Sequence, residues 1–400
     1  VNACYADQRA FYGKEDGILM TEGGTDAWFN ADKASYANQL TRYEGFTSSS
    51  SGTSRNAYTT FYKGLNLCNT GIARIGSVAY SSPEEKNRRE GEMRFMRAFY
   101  LWHIVEFYGG VNLRTTPSQG AELTAVRSSI PAFYDVILAD LEFARTNLPI
   151  TWGNTAAAEF SRATRKSALG LMARALISRA YYSSGAEATT YFTRARDIAK
   201  LVIDTKAELR TDLMADYSAL WLPANNKQIG REGGESLYTI SNSATNIASN
   251  YDGNANRMHL WYLTQYSNKI AGLVQSLAYG NDGQRRLMPT LSLLNTYDDQ
   301  KDNRYDGSFQ EVWIANANYT WTQTDATRYG KSASVVGRQV RSGIDTMMYI
   351  TKKTVANKAN LPYLVFDRDT TYAPDGKLKG ANVFVALKKF AYPNRTATNA

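Results

Sequence analysis

The chain has 400 residues, 43% of them hydrophobic, enough for two domains or for one large domain with a sizeable core. Its formal charge is +9, but the basic residues are dispersed: Lys86-Asn87-Arg88-Arg89 sits beside Glu84, Glu85, Glu90 and Glu92, a solvated helix face and not a nucleic-acid patch. No apolar run is long enough to span a membrane as a helix, and the two cysteines, Cys4 and Cys68, form no Cys/His cluster, which argues against structural zinc.

The two cysteines leave two readings open, a disulfide in an oxidising compartment or a pair of buried thiols. The N-terminus carries no basic stretch followed by an apolar one, so the sequence reads as a chain whose signal was removed or as a fragment.

The first half predicts long helices. Tyr58, Phe61, Tyr62, Leu65, Cys68, Ile72 and Ile75 recur at helical spacing. A second helix opens at Ser82-Pro83-Glu84-Glu85, with Ser82 as cap, Pro83 at the first helical position and Glu85 completing a capping box. Its stripe is Met93, Met96, Tyr100, His103 or Ile104, and Phe107, and Gly109-Gly110 stops it. So short a link makes these two helices antiparallel. Further helices begin near Pro131, after Thr164 and from about Thr190, at spacings that suggest tetratricopeptide-type pairs without a strict repeat.

After residue 205 the composition turns to Asn, Gly, Ser, Asp and Tyr with short apolar pieces. The expected architecture is therefore mainly α: a helical scaffold with an N-terminal loop region over 1–205, and an irregular, loop-rich half with short helices and a few strands over 206–400, packed on the scaffold and facing the ligand.

Signatures of catalysis are missing. The two histidines, His103 and His259, are far apart in sequence, and His103 reads as a hydrogen-bonded core or groove residue. Glycines never stand two apart, which excludes G-x-G-x-x-G, and Gly330-Lys331-Ser332 lacks the first P-loop glycine because Asp325 occupies its place. The acidic run from Tyr297 to Gly307 fails as an EF-hand, with Arg304 and Trp313 at ligand positions; an irregular calcium site is the remaining cofactor expectation, beside the plainer one of ion pairs with Lys301 and Arg304 that set a turn. Glu106, Asp135, Asp140 and Glu142 fall on helices, where salt bridges are the default role for carboxylates.

Several stretches resemble the SusD/RagB family in order along the chain. Glu92-Met93-Arg94-Phe95-Met96-Arg97-Ala98-Phe99-Tyr100-Leu101-Trp102, followed by Phe107-Tyr108-Gly109-Gly110-Val111-Asn112-Leu113, is similar to its hallmark helix and the extended segment after it, with Asn112 in place of the usual proline. Tyr62 to Asn69 resembles its Y-x-x-I-x-x-x-N helix, and Ser161 to Leu169 its G-R-A-T-K helix entry. Gly234 to Tyr238, Pro289-Thr290 with Tyr297 to Tyr305, and Leu387 to Phe390 resemble later motifs of the family.

The resemblance implies a surface-exposed outer-membrane lipoprotein of Bacteroidota. Such a protein lacks catalysis, binds glycan or alternatively peptide, and sits as a lid on a SusC-like TonB-dependent transporter. It implies no nucleic-acid partner, and membrane contact only through a lipid anchor outside this chain. It also implies that the family's first helices and C-terminal helical section lie outside this chain.

Sugars stack their C–H faces on aromatic rings and need polar partners at the rim. Rings in polar loops are therefore the expected ligand contacts: Trp28, Tyr36 and Tyr43 beside Asp26; Trp261, Tyr262 and Tyr266 near Asn254 and Arg257; and Trp313, Tyr319 and Trp321. A helical glycoside hydrolase or lyase, and a bare helical scaffold, are the competing readings.

Overall fold

The computed structural model describes residues 1–400 except 31–34, 48–51, 122, 154–160, 226–233, 243–255, 257, 265, 267–268, 277–284, 299–300 and 392–400, together with the side chains of 35, 36 and 223. In chain order the main helices are α1 (Glu15–Thr21), α2 (Ser35–Thr41), α3 (Gly52–Arg74), α4 (Pro83–Tyr108), α5 (Ile130–Asn147), α6 (Arg165–Tyr181) and α7 (Gly185–Asp204). Two compact units form, one from Val1–Tyr12, Arg55–Leu220 and Ala224–Gly253, the other from Gly13–Ser54, Trp221–Pro223 and Asn254–Ala400.

The first unit is built from long helices whose ends follow their local chemistry. Ser82 caps α4 by accepting a hydrogen bond from the Glu85 amide at 3.2 Å, and Pro83 occupies its first turn. Ser129 accepts from the Ala132 amide at 3.3 Å to start α5, and Thr164 with Ser167 forms a capping box on α6. At the far end of α4, Gly109 takes φ 68°, a conformation that costs a residue without Cβ least.

Helix α4 is the centre of this unit. Phe61 stacks on Phe107, Gly64 meets the Tyr100 ring and Gly71 meets Met93, so α3 runs antiparallel to α4. On another face Asp140 reaches Arg97 and Arg94, while Tyr134 donates to Glu106, so α5 is antiparallel to α4 as well. Helix α7 folds back on α6, pinned by Arg179, which pairs with Glu187 at 2.7 Å and lies 4.6 Å above the Tyr191 ring. The N-terminal segment completes the unit: the Tyr5 hydroxyl donates to Glu92 at 3.0 Å, and the Tyr238 hydroxyl to Gln8 at 2.7 Å.

Among the described residues the second unit holds α1, α2, short helices and nine short strands: β1 (Trp28–Phe29), β2 (Met288–Pro289), β3 (Phe309–Gln310), β4 (Val312–Ile314), β5 (Tyr319–Thr320), β6 (Gln339–Val340), β7 (Thr346–Thr351), β8 (Leu364–Asp367) and β9 (Ala386–Leu387). Three antiparallel pairs, β1–β2, β3–β9 and β5–β6, accompany a mixed sheet in the order β4-β7-β8. In that sheet β4 runs antiparallel to β7 with an irregularity at Trp313/Ile314, and β8 runs parallel to it from Met348↔Leu364 to Thr351↔Asp367.

The expected fold class, mainly helical with a few short strands, is what the chain adopts. The expected boundary at residue 205 is corrected. Residues 13–54 cluster with the C-terminal unit, because β1 pairs with β2 in the register Trp28↔Pro289, and 206–220 with 224–253 cluster with the helices.

Candidate functional site

One edge of α3 and the extended segment after α4 form a cleft of about 130 Å³ lined by Tyr62, Leu65, Asn66, Asn69, Arg114 and Ser118. The segment is held by side chains that the helices supply. Tyr62 donates to the Asn112 carbonyl at 2.7 Å. Asn69, itself buried, donates to the carbonyls of Arg114 and Thr116 at 3.1 and 3.2 Å. Its own amide oxygen accepts from Arg97 at 3.3 Å, so the α4 arginine orients the α3 asparagine, which in turn fixes the segment. Asn66 closes the far wall by accepting from the Ser118 amide at 2.9 Å.

Beside the cleft Tyr58, one turn before Tyr62, lies against it at 4.5 Å between ring centroids and meets Tyr108 edge-on at 5.1 Å. Tyr58 is 37% exposed, whereas Phe61 and Leu65 on the neighbouring face are sunk in the core. Burial, with Tyr58 adding to it and Arg114 opposing it, lifts the Tyr62 phenol well above its ordinary range, so it stays a neutral donor. The result is a half-open aromatic ledge with amide, guanidinium and hydroxyl groups around it. Such a surface can stack an apolar ring face and hydrogen-bond its rim.

The ring residues expected from sequence are placed otherwise, and the expectation is corrected. Trp261, Tyr262, Trp313 and Trp321 are 3%, 3%, 2% and 1% exposed, and with Trp28 and Tyr266 they lie in the core of the second unit. Trp28 packs edge-on against Tyr262 at 5.0 Å, and the Trp321 indole N–H donates to the Pro362 carbonyl at 2.8 Å, so neither polar tips nor faces are open to a ligand. The physical reason is that a unit with so little regular structure fills its core with its largest side chains. Tyr319 packs partly buried against the same core and donates to Asp325 at 2.5 Å. Tyr43, 68% exposed, and Asp26 do face solvent. Asn254, Arg257 and the side chain of Tyr36 lie outside the described residues.

The cleft is hidden in the sequence because Tyr58 and Tyr62 share one helical-spacing pattern with Phe61 and Leu65. The available signal was their residue type: tyrosine carries a polar tip that suits a helix edge better than a core.

Other titratable groups are engaged structurally. Nδ1 of His103 donates to the Phe99 carbonyl at 2.7 Å and Nε2 accepts from the Tyr12 hydroxyl at 2.6 Å; burial pushes its pKa down to about 4. Glu92 is buried with donors from Tyr5, Arg89 and Arg162, and burial still raises its pKa. Glu142 pairs with Arg145 at 2.5 Å. In the acidic run, Asp302 binds Arg304 at 2.6 Å and Asp298 binds Lys301 at 3.1 Å. Among the described residues no three His, Cys, Asp or Glu side chains gather as a metal site, and no helix is long and apolar enough to cross a membrane.

Residues 15–177 match the SusD-like family model described as "Starch-binding associating with outer membrane". No curated relative matches by sequence. The fold is similar to that of surface glycan-binding protein A from Bacteroides fluxus (17% identity, TM-score 0.59, 78% of this chain and 62% of that one). It is also similar to a SusD superfamily protein from Parabacteroides distasonis (19%, 0.57, 81% and 64%) and to a laminarin-binding SusD-like protein (16%, 0.61, 96% and 75%). The chain thus spans less than two thirds of the first two proteins' lengths. The chain thus matches the SusD-like family model by sequence over residues 15–177, and its fold is similar to that of SusD-like proteins over most of its length.

Proposed function

We propose that this chain binds glycan without transforming it, at the ledge formed by Tyr58 and Tyr62 over the Asn66–Arg114–Ser118 wall. The observation that carries this reading is the partly exposed Tyr58 ring set 4.5 Å from a second tyrosine at the mouth of a polar cleft. A pyranose presents one apolar face and a ring of hydroxyls, and this arrangement offers a partner for each. The names of the similar proteins, one glycan-binding and one laminarin-binding, support the ligand class. The non-catalytic role is drawn from the likeness to the SusD-like family.

By the same family likeness we place the protein at the outer-membrane surface, loading its glycan into a TonB-dependent transporter. Tyr43 and Asp26 are retained as a second, exposed contact point in the other unit.

Affinity electrophoresis and titration calorimetry against a panel of soluble polysaccharides test the reading. At least one glycan is expected to bind and to be recovered with unchanged chain length. Tyr58→Ala should weaken it about tenfold, the order of one aromatic contact, and Tyr43→Ala reports on the second point. A wild-type protein that binds no glycan in the panel overturns the proposal.

A further inference from the structure

We infer that Cys4 and Cys68 are the two halves of a disulfide that, in an oxidising compartment, fastens the N-terminal segment to α3. In the structure both are free thiols buried within the helical unit, 2% and 0% exposed. Their proximity follows from three contacts. A Cβ at Gly64 would overlap the Tyr100 ring, so that ring lies directly on α3 at Gly64. The hydroxyl of the same ring donates to the Cys4 carbonyl at 2.7 Å, which brings residue 4 over this part of the helix. Gly64 and Cys68 stand four residues apart on one face, so Cys4 is suspended above the turn that carries Cys68. The Lys63–Asp7 ion pair at 3.0 Å holds the same segment against the same stretch of α3.

The two thiols interact side chain to side chain. That contact lowers the pKa of Cys4, while burial, and next the contact with Cys4, raises that of Cys68. In the undocked segment either thiolate can attack first, and the product is the same. The oxidant is a disulfide, either oxidised glutathione or a protein dithiol carrier. With Cys4 leading, its thiolate attacks one sulfur of the oxidant and expels a thiolate, giving a mixed disulfide. The Cys68 sulfur then attacks the Cys4 sulfur, closes the bond and releases the second thiol. The two cysteines give up two protons and two electrons, and the oxidant becomes two thiols. Because both sulfurs are buried once the chain has folded, exchange takes place before the segment docks, and burial then protects the bond. The segment so fastened carries Tyr5 to Glu92 and Gln8 to Tyr238, contacts that complete the helical core.

The test uses the full chain refolded in a glutathione redox buffer. After denaturation without reductant, maleimide labelling is expected to find no free thiol, and proteolysis to yield a cross-linked peptide joining residues 4 and 68. Reduction should restore two thiols and lower Tm by several degrees, a loss absent in Cys4→Ser. Two free thiols after equilibration, or a disulfide formed only between chains, overturns the inference. If Cys4→Ser does not fold, the thiol count and peptide map of the wild-type protein decide alone.

Discussion

The Arg97 guanidinium grips the Asp140 carboxylate through two hydrogen bonds, Nε at 2.7 Å and Nη2 at 2.8 Å, in the interior of the helical unit. Arg94 adds a third at 2.9 Å, so one carboxylate is shared by two arginines of the same helix. The remaining donor of Arg97 reaches Asn69 and, at 3.4 Å, the Thr115 carbonyl. One residue thus ties α3, α4, α5 and the cleft wall together. Asp140→Ala leaves Arg97 buried without its counter-charge and should destabilise the helical unit by ~3–5 kcal/mol in urea unfolding. A loss below 1 kcal/mol would show that water or another carboxylate replaces Asp140.

Tyr58 and Trp313 should behave in opposite ways, since one ring is partly exposed and the other sits in a core. Tyr58→Ala is expected to lower glycan affinity while changing stability by no more than ~0.5 kcal/mol, as for other surface changes. Trp313→Ala should cost ~3–5 kcal/mol of stability, as expected for truncating a buried ring. Calorimetric binding and denaturant unfolding on both variants separate the effects. A Trp313 variant that keeps its stability and loses only binding would restore the loop-ring reading of the sequence.

What could be read from the chain was what local chemistry decides. Ser82, Pro83 and Glu85 start α4 because the cap needs only four consecutive residues, and Gly109 ends it for an equally local reason. The antiparallel pairing of α3 and α4 followed from their short connection. The strands could not be foreseen in the same way: Trp28–Phe29 becomes β1 only by meeting Met288–Pro289, a partner that no neighbouring residue signals. The burial of the loop rings escapes the sequence for a related reason. Rings in Asn/Gly-rich loops look exposed in sequence, yet Trp261 and Trp321 supply the core that short strands alone cannot. At helical spacing Tyr58 and Tyr62 lie beside the Phe61–Leu65 row, and only the packed neighbours decide which row is buried.

Gly64 shows how tightly α3 and α4 approach. A methyl group there would overlap three atoms of the Tyr100 ring, which is fully buried and cannot swing aside. Gly64→Ala gains about 1 kcal/mol of helix propensity, against which stands an overpacking cost of ~1–3 kcal/mol or more. The expected sign is destabilising. Pairing it with Tyr100→Leu should recover part of the loss, and a double-mutant cycle on the unfolding free energies measures how much. Fully additive losses would mean that the clash is relieved elsewhere.

His103 gives the helical unit a pH dependence whose direction can be worked out. Its two ring nitrogens are already committed, one donating to Phe99 and one accepting from Tyr12, so a second proton would reverse the Tyr12 bond and leave a charge in a buried site. Burial first, with the Arg174 charge assisting, holds its pKa at about 4 against 6.5 in an open chain. Between these values the unfolded chain takes up a proton that the folded one refuses. Stability is therefore fully present above pH 6.5, falls as the pH drops toward 4, and loses at most about 3 kcal/mol from this residue. Glu92 acts in the opposite sense, since its raised pKa favours the folded state as its carboxyl protonates, but it does so in wild type and variant alike. The difference in unfolding free energy between the wild-type protein and His103→Gln, followed from pH 7 to 4, isolates the histidine. That difference should shrink as the pH falls; a constant value across the range would mean that His103 titrates normally in the folded protein.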